Sequence, residues 1–217
     1  DFGGWYAGGS SGGGLSRHEA ALFVDMLPEL CTTLHFDTEK GTTSATVDNR
    51  DLSELQPAAC SAIEVLAKHF SGSHPDQFLP VLSTVVGLIE KHHVAFKDNN
   101  EVVVSKDEHI RVLIDCSFLS SAALCNGLGT RAFPVVQQLV PLVLDRLHQL
   151  NSQQGKRVKT KTEEERDQES LMAALATLAA VAKVTTYVIT EHKLVCHATS
   201  NTVNLNLAWN TLAPLFL

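Results

Sequence analysis

Apolar residues recur at spacings of three and four along nearly the whole chain after Leu15: Phe23, Leu27, Leu30 and Leu34 in one stretch, then Leu55, Ala59, Ile63, Leu66 and Phe70 in the next. That period lines one face of an α-helix and is wrong for the alternating face of a strand. With 44% hydrophobic residues in 217, enough apolar surface is present for a substantial core. The pattern predicts an all-α fold, with helices over 16–35, 53–70, 75–93, 107–126, 131–150, 166–190 and 200–217. Ser53 and Asp107 are expected as N-caps and Pro75 in a first turn. Gly127 and Gly129 are expected to stop the fourth helix.

A second regularity crosses the helices. Leu27-Pro28-Glu29-Leu30, Leu79-Pro80-Val81-Leu82, Val140-Pro141-Leu142-Val143 and Leu212-Ala213-Pro214-Leu215 put proline in an apolar quartet in every second helix. Proline inside a helix removes a backbone hydrogen bond, so its recurrence suggests one packing problem solved several times. On these quartets the chain resembles the HEAT family of helical repeats, whose first helix often carries an apolar-Pro-apolar stretch and whose second packs antiparallel behind it. The resemblance implies a right-handed α-solenoid of about three and a half helix pairs over residues 15–217. The pairs would be 16–35 with 53–70, 75–93 with 107–126, and 131–150 with 166–190, and 200–217 would open a fourth. The prolines lie 52, 61 and 73 residues apart, more than the usual 40 to 47 or so. The excess falls in the loops 36–52, 94–106 and 151–165. A compact bundle of six or seven helices satisfies the same amphipathic pattern and stays open as the alternative. Leu212–Leu217 lacks a second helix to cover it, so further repeats or a partner protein are expected there, as at the cut edge of a longer solenoid.

Charge and cysteine usage narrow the setting. Net charge is -7 and only one tight cluster occurs among the 17 basic residues, so a phosphate-tracking surface is not apparent and no nucleic acid partner is expected. Five widely spaced cysteines, Cys31, Cys60, Cys116, Cys125 and Cys196, fit reduced intracellular protein better than a disulfide framework. The N-terminus is Gly-rich and has no basic region followed by an apolar stretch, so a signal peptide is not expected. The residues after Lys193 carry no Asp, Glu, Lys or Arg, yet Thr199, Ser200, Asn201, Thr202, Asn204, Asn206 and Asn210 make them too polar for a bilayer. A soluble cytoplasmic or nuclear protein without a membrane partner is expected. Lys156-Arg157-Val158-Lys159, in the basic loop that runs to Lys161, resembles a short nuclear import signal, though a solvated loop accounts for it as well.

No constellation for catalysis is visible. Cys31 with His35, and His192 with Cys196, are four apart and so share a helix face, but two ligands do not make a metal site. His92 and His93 are expected at a helix end, where imidazole complements the dipole. There is no Gly-x-Ser-x-Gly elbow and no Gly-rich loop followed by Lys-Ser/Thr; Asn126-Gly127-Leu128-Gly129 follows no strand. No enzyme activity, cofactor or metal is expected.

The functional clue lies in residues 1–14. They hold one of the two Trp, one of the two Tyr and seven of the 13 Gly. Phe2, Trp5 and Tyr6 are residue types that anchor peptide interfaces. Residues 8–14 form a flexible Gly/Ser tether with a root-mean-square reach of roughly 15 Å and a maximum near 25 Å. This segment reads as an engineered fusion, a partner's short motif joined ahead of its receptor; a natural tail with Gly/Ser bias is the alternative. The expected function is binding of a short aromatic motif of a partner protein, held locally by the tether. The HEAT resemblance implies that the second helices line the inner face. Glu64, Lys68, Arg111 and Asp115, off their apolar stripes, are then the candidate groove rim. Two other functions fit the composition: a scaffold subunit with broad protein interfaces, and a fragment of an acidic nuclear transport receptor, for which Phe2-Gly3 is a two-residue match.

Overall fold

The computed structural model describes residues 22–34, 49–98, 104–153 and 160–199, with side chains described over 22–34, 54–92, 108–151 and 160–191. Among the described residues the protein is all helical, without strands. We number the helices α1 (Leu27–Leu34), α2 (Asn49–Phe70), α3 (Pro75–Asp98), α4 (Val104–Leu128), α5 (Phe133–Gln153) and α6 (Lys161–Thr199). A 3-10 turn, Gly129–Ala132, joins α4 to α5.

Local chemistry explains several boundaries. Pro75 opens α3, where its missing N–H costs nothing, and the amides of Gln77 and Phe78 donate to the His74 carbonyl at 3.1 and 3.4 Å. A capping box starts α6. The Glu163 amide donates to Thr160 Oγ1 at 3.3 Å, while the Thr160 amide donates to Glu163 Oε2 at 2.7 Å. Gly129, at φ +57, turns the chain out of α4 in the left-handed region that favours glycine.

Other expectations are corrected. Ser53 and Asp107 lie inside α2 and α4, which begin earlier, at Asn49 and Val104. His92 and His93 do not end α3, which continues to Asp98. Pro28 sits in the first turn of α1, after a short helical turn at 22–24, so it starts a helix where a bend in a longer one was expected. Pro80 and Pro141 do lie inside α3 and α5, but Pro57 lies inside α2, so internal proline is not confined to alternate helices. Gly127 is helical and serves a close approach rather than a stop. A Cβ there would collide with Ser71 Oγ and lie 3.2 Å from the Ala67 carbonyl oxygen.

The helices pack in two rows. α2, α4 and α6 are neighbours in one row; α1, α3 and α5 are neighbours in the other. Across the rows α1 packs on α2, α3 on α4, and α5 on α6. The core lies between the rows, with Ile63, Phe78, Leu82, Leu113, Phe118, Leu124, Leu139 and Val143 fully buried. Contacts within the first row keep one register. Ser120 Oγ donates to the Cys60 carbonyl at 2.6 Å, a step of 60 residues from α4 to α2, and also bonds the Cys116 carbonyl on its own helix. Thr177 Oγ1 repeats this arrangement between α6 and α4, donating to the Phe118 carbonyl at 2.8 Å over a step of 59 residues and bonding the Ala173 carbonyl. Further along, Ser71 of the α2 end meets Gly127 on α4, and earlier on the other seam Glu108 pairs with Arg166, so partners advance in the same direction and α2, α4 and α6 run parallel.

Stretches within Glu108–Asn151 and Lys161–Glu191 are long and apolar enough to cross a membrane, a measure that core helices also meet. In the first, Leu113, Leu124 and Leu139 are buried among the helices; in the second, Ala174 and Val181 are buried while Met172, Leu175 and Tyr187 are exposed.

Candidate interaction cleft

The parallel row presents a cleft of about 1120 Å³ between the C-terminal ends of α2 and α4, open to solvent and bounded on one side by Ala176 of α6. Its depth follows from small residues. Ala67, Ala122, Ala123 and Gly127 line it, and the missing side chain at Gly127 lets α4 approach Ser71 at the end of α2. Ser71 is fully buried and its hydroxyl bonds the Ala67 carbonyl at 2.5 Å, so the helix end is satisfied internally.

Glu64 and Lys68 stand at the rim, one turn apart on α2, joined by an ion pair at 2.5 Å. Leu119 adds apolar surface from α4, and Asn126, His69, Ser73 and His74 add polar groups at the far end. Ser73 Oγ lies 2.9 Å from His74 Nδ1, and its hydroxyl also bonds the Phe70 carbonyl at 3.0 Å. The cleft therefore combines a small-residue wall, the larger apolar side chains of Phe70 and Leu119, and hydrogen-bonding groups of both kinds. Exposed apolar residues continue along the same helices, with Leu55 and Val65 on α2, Val112 on α4, and Met172, Leu175 and Tyr187 on α6.

Of the expected rim residues, the structure brings Glu64 and Lys68 to the cleft and places Arg111 and Asp115 in a second cluster between α4, α5 and α6. There Arg146, buried on α5, donates to Asp115 Oδ1 at 3.2 Å and to Ser170 Oγ at 3.3 Å. Ser170 donates to Asp115 Oδ2 at 2.5 Å. Arg111 bonds Ser170 at 3.1 Å and pairs with Asp167. Farther out, Arg166 pairs with Glu108 at 2.6 Å. Burial pushes the Asp115 carboxyl above its ordinary range, with the Arg146 charge and the bonds from Ser170 and Arg146 acting against that rise. The cluster ties three helices together. Arg146 and Ser170 escaped the sequence reading because their spacing resembles ordinary helix positions; only a charged residue on an apolar stripe, Arg146 between Val143 and Leu150, signals such a pairing.

The four thiols among the described side chains show no sign of activation. Burial pushes Cys60 and Cys125 up to about 12 and also raises Cys31 and Cys116, so each holds its proton near neutral pH. Cys60 lies 3.5 Å from Ser117 Oγ in the α2–α4 seam. Among the described residues no three His, Cys, Asp or Glu side chains gather as metal ligands. His192 and Cys196 lie on α6 but outside the residues whose side chains are described, and His35, the basic residues 156–159, the anchors Phe2, Trp5 and Tyr6, and the expected helix 200–217 lie outside the described residues.

No family model, curated protein or solved structure matches the chain.

Proposed function

We propose that this chain is a non-enzymatic protein-interaction module, a solenoid of HEAT-like helix pairs, whose parallel row of second helices takes a short aromatic segment of a partner protein. The observation that carries the reading is the cleft between α2 and α4, which lies on the row that the repeat resemblance assigns to the inner face. Support for the solenoid form comes from the hydroxyl clasp repeated from α2–α4 to α4–α6 at steps of 60 and 59 residues, because a stack of equivalent pairs calls for equivalent seams. An aromatic side chain matches a cleft walled by alanine and glycine, since it supplies the volume that the wall lacks.

Calorimetric titration of the free Asp1–Ala7 peptide into the full chain carrying Trp5→Ala tests the reading. Saturable binding is expected, lost when Ala176→Glu is added to the receptor or when the peptide carries Trp5→Ala, with helical content and melting temperature unchanged. No binding at millimolar peptide contradicts it. The exposed apolar residues along α2, α4 and α6 would also serve a scaffold with a broad interface. A scaffold would bind a large partner while ignoring the peptide.

A further inference from the structure

The outer face of α6 carries apolar surface ordered between charges of opposite sign. Glu165, Glu169, Met172, Ala176, Ala179 and Lys183 recur at spacings of three and four, and all are exposed. Met172 is 61% exposed, and Leu175 and Tyr187, which flank the stripe, are 43% and 46% exposed. The stripe therefore runs acidic, apolar, basic from its N-terminal to its C-terminal end. Lys183 has no carboxylate three or four residues away on its own helix, and its Nζ lies 5.9 Å from the centre of the Tyr187 ring.

We infer that this face docks a second copy of the chain, α6 against α6, antiparallel about a twofold axis at Ala176. Such an axis sets each residue against the one equally far beyond it on the other copy. Glu169 then meets Lys183, each seven residues from Ala176, and Glu165 meets the Tyr187 hydroxyl, each eleven residues away. Twofold symmetry makes both pairs occur twice. Met172 comes level with the gap that Ala176 and Ala179 of the other copy leave, which a long, adaptable side chain fills, and Leu175 meets its own counterpart beside the axis. The charge order selects this occupant, because the two halves of the stripe complement each other only when the helices run in opposite directions. Parallel extension of the row by α2 of another copy would instead bring like charges together, Glu54 beside Glu165 and Glu169, and Lys68 beside Lys183. From Glu165 to Tyr187 the face is about 33 Å long, and a helix pair of that length buries on the order of 1,000 Å², the low end of specific interfaces. The dimer should therefore come apart on dilution. Ala176 also bounds the α2–α4 cleft, but the inference rests on α6 alone and does not depend on peptide binding.

The test is sedimentation equilibrium of the full chain carrying Trp5→Ala, so that association through the N-terminal peptide does not contribute. From about 1 to 300 μM the mass should rise from one chain toward two and no further. Glu169→Lys and Lys183→Glu, both at exposed positions, should each weaken association by at least about tenfold, since each sets like charges together, with helical content unchanged. An equimolar mixture of these two variants should regain it, because one chain is then basic at both positions and the other acidic at both. Val65→Arg, at a position 55% exposed on α2, should change nothing. The mass of one chain at every concentration overturns the inference, and so do masses that grow beyond two chains. Indifference to both charge reversals, a mixture that stays apart, or dissociation caused by Val65→Arg would overturn it as well, the last by assigning the contact to α2.

Discussion

Two glycines inside helices show how surroundings decide the sign of one substitution. Gly87, exposed on α3, has nothing within 4 Å of the position a Cβ would take, so Gly87→Ala should stabilise by about 0.5–1 kcal/mol through helix propensity alone. Gly127 has the same propensity to gain, but its Cβ would strike Ser71 Oγ and crowd the Ala67 carbonyl. Overpacking of this kind costs about 1–3 kcal/mol, so Gly127→Ala should lower stability by about 1 kcal/mol net. Adding Ser71→Gly should recover part of that loss, because the colliding hydroxyl is then gone. Urea unfolding of the single and double variants checks both signs, and a stabilised Gly127→Ala would show that the α2 and α4 ends do not meet. Gly129 follows a different rule, since its φ of +57 and not its space restricts substitution.

At the scale of the helices, the Arg111, Asp115, Arg146 and Ser170 cluster ties α5 and α6 to α4. Burial outweighs the Arg146 charge at Asp115, so the folded chain holds that proton at higher pH than the unfolded chain does. In the window from the ordinary value of 3.8 up to the raised folded value, the folded state therefore binds more protons. The contribution of Asp115 to stability accordingly falls as pH rises through that window and is flat above it. This sign is opposite to that of an exposed, salt-bridged carboxylate. Chemical unfolding of the parent and Asp115→Asn from about pH 3 to 7 should show the parent's stability relative to the variant declining with pH. A relative stability that climbs with pH would contradict the account.

The helices themselves were largely legible, because amphipathic spacing survives whatever packs against it: Leu55, Ala59, Ile63 and Leu66 mark α2, with all but Leu55 buried. Their ends were less so. The capping box Thr160-x-x-Glu163 stood in the sequence, yet the predicted helix starts at 166, five residues after α6 begins at Lys161. Ser53 and Asp107 have good capping chemistry, but the helices begin four and three residues ahead of them, at Asn49 and Val104. Such choices turn on competition between nearby caps, which differ by only about 1 kcal/mol. The site divides in the same way. Glu64 and Lys68 were found from their place off the apolar stripe of α2 and do reach the cleft. Arg111 and Asp115 satisfy the same pattern, but their use depends on Arg146 and Ser170, and no local spacing on α4 encodes what α5 and α6 will bring.

For the whole molecule, the two rows mean that a ligand on the α2, α4 and α6 side touches none of the α1, α3 and α5 side. Hydrogen exchange read by mass spectrometry, on the full chain carrying Trp5→Ala with and without saturating Asp1–Ala7 peptide, separates these faces directly. The account expects slowed exchange in segments covering 64–74 and 119–127, with α3 and α5 beyond the cleft unchanged. Unaltered exchange at saturation, or protection confined to α3 and α5, would contradict a peptide-binding cleft on the second helices.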